Sequence, residues 1–229
     1  MESITCSLAL ANLPDLEALG GPRVSYLPFG YAPGVHFAER PVDEAERDQY
    51  DADVMFAGGA DADRVSLVSA LIRGGLDVAL YGGYWDNDPS TRRHARGFVN
   101  AAGLRKATAA AKVCLCLVRR ANRDGHSMRS FEVPAMGGCV LAEDTPDHRG
   151  IFGDENRAAV FFGGPDEATD KARSLVKDID RCQRLAAASH RLVTAGGHTY
   201  ADRLAEIVRL ASENHAEDRP GRSRTLSRV

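Results

Sequence analysis

The stretch Arg120–Ala142, RANRDGHSMRSFEVPAMGGCVLA, decides how this chain reads. The apolar run Val113–Val118 ahead of it has the pattern of a strand buried on both faces. A polar loop, Arg119–Asp124, follows and ends in Gly125. His126 and Ser127 stand where a helix can begin, and serine is a favourable cap. The first-turn amides of such a helix lack partners within it, and with the helix dipole they make a seat for an anion such as phosphate. Arg129 lies in the same turn and can grip phosphate through two hydrogen bonds. Glu132, three residues on, falls roughly on the same face. A carboxylate repels phosphate but accepts from hydroxyls, such as those of a ribose beside it. Pro134 costs roughly 3 kcal/mol inside a helix, so a kink or a very short helix is expected. Gly137 and Gly138 close it, and Cys139–Ala142 is the next strand. A phosphate seat, a cation and a sugar-hydroxyl acceptor within a dozen residues predict a nucleotide pocket.

Upstream, Asp53–Ala57 reads as a buried strand followed by Gly58-Gly59. A helix over Asp63–Arg73 is predicted from Val65, Leu67, Val68, Leu71 and Ile72, and Gly74-Gly75 ends it. Asp77–Tyr81 is the next strand, followed by Gly82-Gly83. This βαβ pattern argues for a parallel sheet with right-handed crossovers. Ligands of such sheets bind at the carboxyl ends of the strands, where Gly58, Gly59, Gly82 and Gly83 all fall. Glycine there lets backbone approach a ligand, although tight turns alone would also explain it. Arg64 has two readings: a phosphate contact from the first helix, or a solvated surface arginine.

Further pieces fill out the order. Val24–Phe29 is a short strand, Tyr31–Asp51 reads as loop, and Gly103–Ala111 is helical by propensity. Thr145 caps a short helix opened by Pro146, and Ala158–Phe162 is another strand. Two helices run from Pro165 to Val193, and a last one spans Tyr200–Ala211 with Thr199 as cap. The polar tail from Ser212 is expected to be disordered.

Composition limits the function classes. At 229 residues, 44% hydrophobic and 27% charged, the chain can bury one substantial core. A net charge of −3 argues against a general nucleic-acid binder. No apolar run approaches the roughly 20 residues that span a bilayer, and no signal peptide is apparent. The five cysteines match neither a zinc site nor a disulfide framework, and Cys114 and Cys116 share one face of a strand as buried thiols. A reducing, cytoplasmic setting fits them best. No cluster has metal-ligand spacing; the DxD pairs at Asp61–Asp63 and Asp86–Asp88 are turn-like.

The run NRDGHSMRSFEVPAMGGCVLAEDTPDH, with YLPFGYAPGVHF near the start and HTYADR near the end, resembles the CgeB-type (spore-maturation) glycosyltransferase-like family. The resemblance covers about Pro14 to Arg209. It implies the GT-B architecture, two Rossmann-like domains, of which this chain holds the C-terminal, donor-binding half. The fold class expected is α/β, a Rossmann-like three-layer domain with a parallel sheet. Residues 51–211 would form it, residues 1–50 would remain from an interdomain region, and 212–229 would be tail. The partner implied is a nucleoside-diphosphate sugar, bound as substrate with no cofactor. The acceptor is unknown, and the facing N-terminal domain would be missing here or supplied by another chain. Many retaining GT-B enzymes carry two acids spaced Glu-x7-Glu; here the pattern is Asp124-x7-Glu132. By resemblance Glu132 would accept from the ribose hydroxyls and Asp124 would lie near the donor sugar. His126 has two readings, a contact to phosphate or the transferred sugar, or a surface or capping residue; Arg129 either grips phosphate or pairs with Asp124 or Glu132, and Gly125 and Ser127 lie beside the phosphates. The alternative class is a module that binds a nucleotide or nucleotide sugar without turning it over.

Overall fold

The computed structural model of the protein describes residues 5–20 and 23–217. β1 (Thr5–Ser7) and β2 (Val24–Tyr26) form a parallel pair, with α1 (Leu13–Ala18) between them in sequence. α2 (Glu44–Tyr50) leads into the main unit. There β3 (Val54–Ala57), α3 (Ala62–Arg73), β4 (Val78–Tyr81), α4 (Ala101–Ala110), β5 (Val113–Cys116), α5 (Arg129–Ala135), β6 (Val140–Glu143), α6 (Pro146–Phe152) and β7 (Val160–Phe162) alternate. α7 (Pro165–Lys177), α8 (Ile179–Ala195) and α9 (Tyr200–Glu217) complete the chain.

The sheet is wholly parallel, in the order β4-β3-β5-β6-β7. This is a doubly wound, Rossmann-like arrangement, and the chain reverses its direction of travel between β3 and β5. Every strand is buried on both faces because each carries two interleaved apolar sets. Phe56, Leu80, Leu115, Leu141 and Phe162 point to one side, against Leu67 and Leu71 of α3 and Leu175 of α7. Met55, Tyr81, Cys114, Val140 and Phe161 point to the other, against Leu104 of α4, Val133 of α5 and Phe152 of α6.

Side-chain caps fix where the helices start. Asp61, Asn100, Thr145 and Asp178 each accept the amide three residues on. Each such cap contributes about 1 kcal/mol. Two expectations from sequence change. The stretch Tyr31–Asp51 is not all loop: Asp43 accepts from the Glu46 amide at 2.8 Å while Glu46 accepts from the Val42 amide at 3.0 Å, and this reciprocal cap starts α2. The last helix runs through Ser212 to Glu217, past the expected start of the tail, whose residues 218–229 lie outside the described region.

At the carboxyl ends of β3 and β4 the two turns touch. Gly82 has φ 128, and a side chain on it would collide with the Gly58 carbonyl, its carbon atom 2.7 Å away. Both the backbone angle and the contact exclude a Cβ. Gly82→Ala is therefore expected to lower stability by at least about 2 kcal/mol, read as a lower denaturant midpoint at unchanged m-value.

Candidate functional site

Two arginines bracket the point where the sheet reverses. Arg64, in the first turn of α3, donates to Gly59 O at 3.0 Å and to Val118 O at 3.1 Å, so it ties the loop after β3 to the loop after β5. Its buried Nε makes no hydrogen bond and faces Asp61 Oδ2 at 3.5 Å. From the other side Arg129 donates from Nε to Ala57 O at 3.0 Å and pairs through Nη1 with Glu132 Oε2. Among the described residues its Nη2 makes no hydrogen bond.

Glu132 is only 5% exposed, and its second oxygen lies 3.4 Å from His36 Nε2. The Ala32 amide donates to His36 Nδ1 at 3.1 Å, which leaves the imidazole proton on Nε2, facing Glu132. Burial, then the nearby Arg129 and Arg105 charges, push the His36 pKa below its ordinary value. Glu132 thus sits directly behind Arg129, between a guanidinium and a neutral imidazole.

The signature helix is as short as Pro134 requires: α5 has seven residues. Ser127 does not cap it. The Ser127 amide donates to Ser130 Oγ at 3.1 Å, and the Ser127 hydroxyl is buried without a partner. The helix opens instead at Arg129. A helix of two turns has a weak dipole, so the positive charge at this end comes chiefly from Arg129 itself.

His126 is 1% exposed. Its Nε2 accepts the Phe29 amide at 3.1 Å, and its Nδ1 lies 3.1 Å from Asp147 Oδ2, which also accepts from Tyr26 OH at 3.2 Å. Burial outweighs the Asp147 carboxylate and lowers the His126 pKa. Both ring nitrogens are therefore engaged in fastening β2 and the segment after it to the signature loop. Gly125 is required there, because a side chain would collide with the Asp147 carboxyl. Beneath the loop, His148 Nε2 meets Ser130 Oγ at 2.9 Å and Nδ1 meets Glu143 O at 2.7 Å.

The main cleft, about 840 Å³, is walled by Gly58, Gly59, Gly82, Gly83 and Arg129. These five residues, all singled out in sequence, come together there. Arg64 opens instead on a neighbouring concavity with Glu143 and Arg120, and Asp124 on a third that shares those two residues. Glu143, at the end of β6, accepts the Val118 amide at 2.7 Å and Arg120 at 3.2 Å. Sequence reading passed over His36, Asp147 and Glu143. The first lies in the YLPFGYAPGVHF segment and the other two in the signature run, but nothing in their spacing marks them as partners. Among the described residues no group of three or more His, Cys, Asp or Glu side chains is placed to hold a metal ion.

The family model described as glycosyl transferase-like matches residues 64–209. The chain belongs to this family. The matched region of this glycosyl transferase-like chain includes both bracketing arginines and all of α5. No curated protein sequence matches the chain. Its fold is similar to that of Anabaena HepE, solved in complex with UDP-glucose, at TM-score 0.70 and 12% identity over 92% of this chain and 64% of that one. It is also similar to sucrose-phosphate synthase from Thermosynechococcus elongatus (TM-score 0.64, 12% identity, 94% and 59% covered). A glycosyltransferase from Rickettsia africae is similar at TM-score 0.64 and 10% identity, with 91% and 62% covered. At these identities the likeness is one of fold, and it bears out the Rossmann-like, GT-B-type domain expected from sequence. The chain spans about three fifths of the length of these solved structures.

The buried histidines make the fold acid-sensitive. Burial lowers the His148 pKa from 6.5 to about 4. Above pH 6.5 the imidazole is neutral folded or unfolded. As pH falls from 6.5 toward 4 the unfolded chain takes up a proton that the native state refuses, so stability is lost across that window, by about 3 kcal/mol at most. His148→Gln is expected to flatten the pH dependence of unfolding free energy between pH 6.5 and 4, measured by urea titration at each pH.

Proposed function

We propose that this chain is the donor-binding half of a GT-B glycosyltransferase of the CgeB type. It binds a nucleoside-diphosphate sugar in the cleft at the reversal point of the sheet and passes the sugar to an acceptor held by a facing domain. That domain lies on another chain or elsewhere in a longer protein. The observation that carries this reading is the Ala57–Arg129–Glu132 link. It holds a guanidinium with a free Nη2 on the cleft wall and a carboxylate immediately behind it. HepE, similar in fold, was solved with UDP-glucose, which supports a nucleotide sugar as the ligand class.

In this reading the diphosphate meets Arg129 and the glycine turns. Growing negative charge on the leaving nucleoside diphosphate is stabilised by a guanidinium already fixed in place. Glu132 spends one acceptor position on Arg129 and one on His36, which leaves two for ribose hydroxyls. The strap carrying His36 lies over that carboxylate, so hydroxyls reach it where His36 gives way. Asp124 and Arg64 act from the adjoining concavities, toward the sugar and the phosphates. Gly125 and Ser127 shape the loop beside them. The buried free thiols of Cys114, Cys116, Cys139 and Cys182 support a reducing, cytoplasmic setting. Among the described residues no helix is long and apolar enough to cross a membrane.

A second reading, a non-catalytic nucleotide or nucleotide-sugar binding module, is favoured by His126. Both of its nitrogens are engaged by protein, and Asp124 faces a different concavity from Arg129. Hydrolysis or transfer of a radiolabelled donor separates the two. For the binding site itself, Glu132→Gln is expected to weaken UDP or GDP affinity roughly tenfold in calorimetric titration, the equivalent of about 1.4 kcal/mol. Unchanged affinity in a folded Glu132→Gln protein, with Arg129→Lys equally silent, would sink the assignment.

A further inference from the structure

The outer end of the same cleft carries two aromatic rings that packing does not explain. Phe98 is 88% exposed and Tyr84 is 71% exposed, and both line the cleft whose inner end is Arg129. Leaving large rings in water forgoes the stabilisation that burial gives. Tyr84 also sits at φ 73, in the left-handed region that a non-glycine residue occupies only under strain. The next residue is anchored in the opposite direction. Trp85 is fully buried, edge-on to Phe56, with its indole N–H donating to Gly58 O at 2.8 Å. Thr91 Oγ1 donates to the Trp85 carbonyl at 2.6 Å. Anchoring Trp85 inward accompanies an outward-facing Tyr84 on a firm mount. Phe98 meets the same turn: its ring edge comes within 3.3 Å of where a side chain on Gly83 would begin. The ring therefore lies against bare backbone.

We propose that Tyr84 and Phe98 form a stacking platform for the planar base of the nucleoside diphosphate whose phosphates reach Arg129. This rests on the donor-site reading above and adds the end of the cleft at which the base lies. A volume of about 840 Å³ is within the range of small-molecule pockets, and one continuous cleft joins the two ends. Every base has a π-face, and losing one aromatic partner weakens base binding roughly tenfold. A ligand without a base, such as inorganic pyrophosphate, would use the Arg129 end alone. The rival occupant, an apolar surface of a facing domain, gives nucleotide and pyrophosphate no reason to differ.

The test is calorimetric titration of the full chain and its variants with UDP, GDP and pyrophosphate. Trp85, the one tryptophan of the chain, serves as a fluorescent reporter beneath the platform. Phe98→Ala is expected to lose roughly tenfold in affinity for the nucleotides and none for pyrophosphate, and Phe98→Tyr to keep most of it. Tyr84→Gly is expected to weaken nucleotide binding while raising the melting temperature, because glycine takes φ 73 without strain. Unchanged nucleotide affinity in both Phe98→Ala and Tyr84→Gly overturns the platform, as does an equal loss for pyrophosphate. A wild-type chain that binds pyrophosphate as tightly as UDP and GDP overturns the platform and leaves the Arg129 end standing. One that binds none of the three overturns the donor site as well.

Discussion

One guanidinium joins the scaffold of this protein to its candidate chemistry. Arg129 takes the carbonyl at the end of β3 with Nε and the carboxylate of Glu132 with Nη1. A buried carboxylate without a cation would be neutralised or expelled. A buried arginine without acceptors would be equally costly. The two groups therefore require each other, and their shared geometry requires α5 to lie at the carboxyl end of β3. The rest of the site follows from that placement. The glycine turns after β3 and β4 leave room beside the pair, and Arg64 closes the opposite side by joining the loops after β3 and β5.

A second constraint holds the N-terminal segment in place. His126, Asp147 and Tyr26 form a buried hydrogen-bonded group that fastens β2 to the signature loop, while the Phe29 amide closes the remaining ring nitrogen. Tyr31 pairs with Thr199 at the start of α9, and Arg203 reaches Phe29 O. The strap that follows is held to α4 by Arg105, which stacks on Phe37 and bonds Glu39 and Val35 O. His36 rides on this strap and covers Glu132. A segment that reads as leftover linker thus packs over the Glu132 carboxylate, and its fixation depends on a His126 Nε2 that carries no proton and accepts the Phe29 amide.

The cleft is lined by the Arg129 guanidinium, by the Tyr84 and Phe98 rings and by the glycine turns after β3 and β4. That distribution suits an elongated ligand with charge at one end and a flat ring at the other. Tyr84, left-handed, lines this cleft beside the fully packed Trp85.

Sequence by itself determined the parallel α/β class, because strands buried on both faces and capped helices leave a periodic signal that needs no partner to be read. It also located the signature helix, brought Arg129 and Glu132 within one turn, and placed the glycines at the strand ends. Tertiary structure alone decided what those residues touch. That His126 is spent on Asp147 and Phe29, that His36 faces Glu132 from about a hundred residues away, and that Asp124 and Arg64 open on separate concavities depend on contacts between distant segments. The α2 helix was missed for a related reason: its cap is local, but seven residues with no buried side chain carry no apolar period. Periodicity records which side of an element is buried; it holds no record of which distant group lies against that side.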